Sequence, residues 1–167
     1  MKMKKWILIL LALSMVLLLT ACGSRTAENS EATEAPAATE EAAEKPLREL
    51  AAEVIKDAGS LAPFDADDLA EMAGIQPEDY TDYVFLQGDV MEGREILALR
   101  AKDDAAAEKL AEKMEKYLER RRNENRNYAP EAYQALSDAR VERKGLTLVM
   151  VSGGEAGTET AALLAGD

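Results

Sequence analysis

Apolar and polar positions alternate along this chain in two periods, and the changes between them mark out its elements. From Leu47 the bulky apolar residues recur as Leu47, Leu50, Ala51, Val54 and Ile55, the spacing of one helix face, with Gly59 available to close the helix. Asp65 stands where an N-cap would open a short helix carrying Leu69 and Met72 and ending at Gly74. Residues 80–86 are rich in aromatic and β-branched side chains and predict a strand. Residues 95–102 (EILALRAK) predict another, and the turn residues of 88–93 between them predict an antiparallel pair.

The helical period returns at Asp103 and lasts to about Arg122. Ala107, Leu110, Met114, Tyr117 and Leu118 form its apolar stripe, and Glu108, Lys109, Glu112, Lys113, Lys116 and Glu119 cover the other faces. Pro130 suits the first turn of a further short helix through Tyr133 and Leu136. Residues 141–151 then hold Lys144-Gly145 between two strand-like runs, predicting a second hairpin whose later strand is buried on both faces. Helices and hairpins in this order predict an α+β fold: a small two-layer sandwich with an antiparallel sheet of three to four strands packed against helices.

The start of the chain follows neither period. Lys2, Lys4 and Lys5 precede an apolar run over residues 6–19, which at roughly 14 residues is shorter than the ~20 a membrane-spanning helix needs. A basic start followed by a short apolar core has the form of a secretory signal peptide over residues 1–21. The run ends in Leu19-Thr20-Ala21-Cys22, and the sequence turns polar directly afterwards. These four residues resemble the lipobox of bacterial lipoproteins. The resemblance implies that Cys22 takes a diacylglyceryl group and becomes the N-terminus after cleavage, two acyl chains giving the stable anchoring that one does not. Residues 22–46, rich in Ala, Glu, Thr and Ser, then read as a disordered tether with a reach of about 25–30 Å as a coil. The globular domain is expected over 47–152, and 153–167, rich in Ala, Gly and Thr, as a flexible tail.

Composition removes several chemistries. The chain has one cysteine and no histidine, which excludes an intramolecular disulfide, Cys/His and Ser/His/Asp catalysis, and His-based zinc sites. Its formal charge is −12, and losing Lys2, Lys4 and Lys5 with the leader would take it to −15. Nucleic-acid phosphates repel such a domain, so no nucleic acid is expected as a partner.

The remaining candidates for chemistry are few. The segment 151–157 (VSGGEAG) lacks the lysine of a phosphate loop and reads as an exit from the last strand. Asp65, Asp67 and Asp68 lack the rest of a calcium loop and suit a helix start, so neither a metal nor a cofactor is expected. No residue is singled out as catalytic. Tyr80, Tyr83, Tyr128 and Tyr133 would form a binding surface if the fold gathers them, or fill the core with their hydroxyls at its rim. Arg121, within the basic block 120–122, suits either the end of its helix or a pairing with an acid at a contact surface.

Arg121, the polar run after it, Tyr128, Pro130 and Glu131, then Ala139-x-Val141, Gly145 and the closing LVMVS strand form a pattern of their own. Together with the paired strands near Val84 and Ile96, this pattern resembles the domain-of-unknown-function 4358 lipoproteins of Gram-positive bacteria, over about residues 51–152. The sequence departs from it at Arg126-Asn127, where an aromatic is expected ahead of the tyrosine. The resemblance implies a membrane-anchored extracytoplasmic domain and brings no catalytic residues with it.

The expected function is therefore a non-enzymatic binding or scaffolding domain, lipid-anchored on the outer face of the cell membrane, with an envelope protein or cell-wall polymer as partner. The alternative is a carboxylate-dependent cell-wall hydrolase, which would need two acids facing one cleft.

Overall fold

A computed structural model describes residues 44–166. Helix α1 (Leu47–Val54) leads into the two-residue edge strand β1 (Ala62–Pro63) and helix α2 (Ala66–Ala73). Strands β2 (Tyr80–Gln87) and β3 (Glu95–Ala101) form the first hairpin, and the long helix α3 (Asp104–Asn125) and short helix α4 (Pro130–Asp138) follow. Strands β4 (Val141–Lys144) and β5 (Thr147–Ser152) form the second hairpin, and helix α5 (Ala156–Ala165) ends the described chain.

Local chemistry accounts for most of these boundaries. Asp65 closes a capping box over α2, its carboxylate accepting from the amides of Asp67 and Asp68 while Asp68 accepts from the amide of Asp65. Asp103 likewise caps α3 by accepting from Ala106 N at 2.7 Å. Pro130 sits in the first turn of α4, where its missing N–H costs nothing. Helix α1 stops before Gly59: Ile55 is already extended and buried, so packing of that side chain ends the helix. Gly59 lies instead in a 3-10 turn.

The sheet is antiparallel, with strand order β1-β2-β3-β5-β4. It therefore has five strands, not three to four. The fifth is β1, which pairs Ala62 and Pro63 with Gln87 and Leu86; two residues, one of them proline, are too short to carry a period.

The two-layer expectation is also corrected, because helices cover both faces of the sheet. Phe85, Leu97, Leu99, Leu148 and Met150 face α2, α3 and α4, meeting Leu69, Leu110, Met114, Leu118 and Leu136. On the other face Val84, Leu86, Ile96, Val149 and Val151 meet Leu47, Leu50 and Ala51 of α1, Ile55 just after it, and Leu163 of α5. Strands β3 and β5 are thus buried on both sides, which explains their nearly continuous apolar sequence.

The flexible tail is a helix over most of its length. Helix α5 carries no side-chain N-cap bond, and its composition is poor in bulky residues. What holds it is tertiary: Leu163 is fully buried and Glu159 is 5% exposed.

Candidate functional site

Both interior clusters of charge in this fold lie at one end of the sheet, where the β2–β3 hairpin turns. Gln87, Glu95 and Ser152 stand in register there across the three central strands. Glu95 is the first residue of β3 and Arg94 stands directly before it, and since successive residues of an extended chain point to opposite faces, each enters a different half of the core.

On the α3 face, Glu95 is 1% exposed. Tyr117 donates its hydroxyl to Glu95 Oε2 at 2.8 Å and accepts from Gln87 Nε2 at 2.9 Å. Arg121 donates Nε to Glu95 Oε1 at 2.7 Å, brings its terminal nitrogen to 2.5 Å from the same oxygen, and reaches Glu124 at 3.1 Å. Tyr117 and Arg121 are four apart on α3, so one helix face delivers both groups to one carboxylate. Burial, then the Glu95 charge, pushes the Tyr117 phenol far above its usual range. Burial opposes the charge on Arg121, but the Glu95 carboxylate outweighs it and holds the guanidinium above its ordinary value.

On the α1/α5 face, Arg94 forks onto Asp57 at 3.1 and 2.7 Å and onto Glu159 at 2.8 Å. It also donates to the carbonyls of Ser152 and Gly153. A Cβ at Gly154 would come 2.8 Å from Arg94 Cζ, so the backbone after β5 closes directly over the guanidinium. Burial disfavours the Arg94 charge, yet its bonds to Asp57 and Glu159 keep it raised. The hydrogen bond from Arg94 in turn holds the Asp57 carboxyl below the usual carboxylate range. Glu159 Oε2 is buried without a hydrogen-bond partner among the described residues.

These clusters hold charge in place. Each buried carboxylate is bound to an arginine, and Glu95 and Glu159 lie on opposite faces of the sheet, so the two do not flank one cleft. Among the described residues no group of acids is placed to hold a metal ion. Two open depressions mark the surface of the described residues. One, of about 310 Å³, runs between α1 and the β1–β2 edge past Arg48, Ala52, Leu61 and Pro63. Another, of about 570 Å³, follows α3 past Glu112, Glu115, Lys116 and Glu119.

The four candidate tyrosines are not gathered. Tyr80 and Tyr83 pack edge to face at 5.3 Å on the start of β2, beside Ala101. Tyr80 Oη is buried without a partner among the described residues, and burial raises its pKa. Tyr128 and Tyr133 lie past the far end of α3. Tyr128 is 76% exposed, and Tyr133 stacks under Arg126 at 6.0 Å. Arg121 does pair with an acid, but inside the protein at Glu95. Cys22 lies outside the described residues.

Sequence reading overlooked Arg94, Asp57, Glu159 and the pairing of Glu95 with Tyr117. The available signal was charge out of place: Arg94-Glu95 stands directly before the apolar run Ile96–Leu99 of β3.

A family model described as Domain of unknown function (DUF4358) matches residues 54–153. The chain belongs to this family. No curated protein and no solved structure matches it. The DUF4358 match takes in the whole sheet, α2 to α4, and every member of the two charge clusters except Glu159 of α5. No helix among the described residues is long and apolar enough to cross a membrane.

Proposed function

We propose that this DUF4358 chain is a lipid-anchored, extracytoplasmic lipoprotein whose domain is a non-enzymatic binding or scaffolding unit at the cell envelope. The observation that carries the reading is Cys22, the sole cysteine, placed at the end of Leu19-Thr20-Ala21 behind a short apolar run with a basic start. A thiol there has an address to confer, and the polar segment up to Pro46 gives the domain slack from its anchor. The interior chemistry supports a binding role over turnover. Glu95 and Glu159 are both engaged by arginines, and their charges fasten helices to the sheet rather than standing open to a substrate.

The test is metabolic labelling with an alkyne fatty acid, followed by membrane fractionation, of the full chain and of Cys22→Ala. The expected result is label and membrane retention for the first and loss of both for the second. Label on the Cys22→Ala chain, or release of the unsubstituted chain into the soluble fraction, would overturn the anchoring. Turnover of purified cell-wall fragments by the domain, lost on substituting one Asp or Glu, would overturn the non-enzymatic half.

A further inference from the structure

The large hydrophobic residues exposed among those described are Val90, Met91 and Tyr128, at 61%, 44% and 76%. Single exposed apolar residues are ordinary, but these three come from two segments remote in sequence that the fold brings to one end of the domain, where the Met91 backbone bonds Ala132 four residues after Tyr128. Val90 and Met91 form the tip of the β2–β3 hairpin. Met91 O accepts from Ala132 N of α4 at 3.1 Å, and Gly93 presses so closely on Ala132 that a Cβ would lie 2.7 Å from its Cα. Tyr128 lies two residues before α4, its amide bonded to Asn125 O. Both segments are therefore pinned by main-chain contacts, and their apolar side chains are presented at little entropic cost.

The rim of this end is mainly acidic: Asp89, Glu92 and Glu131 are exposed beside the apolar residues, whereas Arg121 and Arg122 are engaged with Glu95 and with the carbonyls of Leu136 and Ala139, and the exposed Arg126 bonds Asn123 and lies over the Tyr133 ring. The described chain begins at the other end. Glu44 pairs with Arg100, and the Leu47 amide donates to Asp82, both at the Tyr80/Ala101 end of the sheet. Six steps along β3 separate the two ends by about 20 Å.

We propose that the Val90–Met91–Tyr128 end is the docking site of this domain for an envelope protein that offers an apolar pocket ringed by lysine or arginine. The inference rests on the lipid-anchored binding reading and names its contact surface. An anchor joined through Glu44 leaves the hairpin end free to point away from the bilayer. The acidic rim repels both anionic headgroups and a second copy of a chain whose charge is −12, or −15 once the leader is lost, and attracts a basic surface. Tyrosine with aliphatic neighbours is the composition of an interface centre.

The test places p-benzoylphenylalanine at position 90, 91 or 128 of the full-length protein in intact cells, with positions 102 and 115 as controls. The expected result is one protein crosslinked from 90, 91 and 128 and not from the controls. When that protein is purified, its affinity falls at least about fivefold with Val90→Ser or Tyr128→Ser, and falls further as salt rises. Val90 and Tyr128 are exposed, so both variants should keep the parent melting temperature, separating lost docking from lost folding. Self-adducts, lipid adducts, or an affinity indifferent to both substitutions would overturn the proposal. Adducts from the controls alone would overturn the docking site and leave the binding reading standing; no adducts from any position would overturn both.

Discussion

Arg94 and Glu95 are neighbours in sequence at the first turnout of β3, yet their side chains end in opposite halves of the core, each against charges of the other sign. Arg94 ties α5 and the segment after α1 to the sheet through Glu159 and Asp57. Glu95 ties α3 to it through Tyr117 and Arg121. Two adjacent residues thus fasten both covering layers to the same strand end, where the hairpin turns and the exposed apolar trio is presented. Buried ion pairs contribute little net stability compared with apolar packing, but removing one partner is costly, so such pairs fix position more than they add stability.

Arg94→Ala should therefore destabilise the domain by about 3–5 kcal/mol, because Glu159 would remain buried without a counter-charge. Denaturant unfolding followed by circular dichroism measures this. Arg94→Ala combined with Glu159→Gln should cost less than the two single substitutions added together, since the second removes the charge the first leaves stranded. Equal, additive losses would show that the pair is not coupled. Acid should weaken the same joint. The folded pKa of Asp57 is depressed by Arg94, so its contribution is present above the ordinary carboxylate value near 3.8 and is lost as pH falls through the folded pKa.

Tyr117 gives the opposite pH dependence. Its phenol is raised above the ordinary value of 10.0 by burial and by Glu95, so below pH 10 both folded and unfolded chains keep the proton and stability is unaffected. Above that, the unfolded chain ionises first and gains on the native state. The unfolding midpoint should fall as pH rises beyond about 10, and Tyr117→Phe should flatten that fall. At neutral pH the same substitution removes the donor to Glu95 Oε2 and should cost about 1–3 kcal/mol. Absorbance near 295 nm, which reports tyrosinate, should show Tyr117 ionising only as the protein unfolds.

The parts of the fold that follow a strong local rule were legible in the sequence. The stripe from Ala107 to Leu118, the caps Asp65 and Asp103, Pro130 in the first turn of α4, and both hairpins all stand where periodicity and turn chemistry put them. The misses share a cause. Strand β1 and helix α5 exist because of what they touch: a two-residue pairing with Leu86 and Gln87, and burial of Leu163 and Glu159. No property of LAPF or GTETAA announces either contact. The charge clusters were hidden for the same reason, since Asp57, Arg94 and Glu159 are 37 and 65 residues apart along the chain and acquire meaning only together. Tyr80, Tyr83, Tyr128 and Tyr133 show the converse, residues alike in sequence that the sheet separates to its two ends.

Gly93 is the point at which the hairpin meets α4. Its φ is +67°, and a Cβ would press on the Ala132 backbone, which has no flexible end to move aside. Gly74 has the same φ with nothing near its side-chain position. Gly74→Ala should therefore cost only the left-handed penalty, about 1 kcal/mol, and Gly93→Ala clearly more. Gly93→Ala should also disturb the Met91–Ala132 bond, read as faster amide exchange at Ala132 with little change at Gly74. Equal losses for the two variants would show that the close approach carries no cost.

The family match ends at Gly153 and begins at Val54, so a domain cut to those limits loses α5 and nearly all of α1. These helices supply most of the described cover of one sheet face, with Ile55, Ala58 and Leu61 adding the rest. Without them Val84, Leu86, Ile96, Val149 and Val151 would meet water, and Arg94 would keep Asp57 but lose Glu159. The fragment 54–153 should bind a dye specific for exposed apolar surface and self-associate, whereas 44–167 should be monomeric and unfold in one cooperative step. Leu163→Ala in the longer chain, deleting one fully buried side chain from the α5 contact, should cost about 3 kcal/mol and lie between the two. If 54–153 unfolded as cooperatively as 44–167, the sheet would need only its α2–α4 face to fold, and α5 would be a cover added to a finished domain rather than a part of its core.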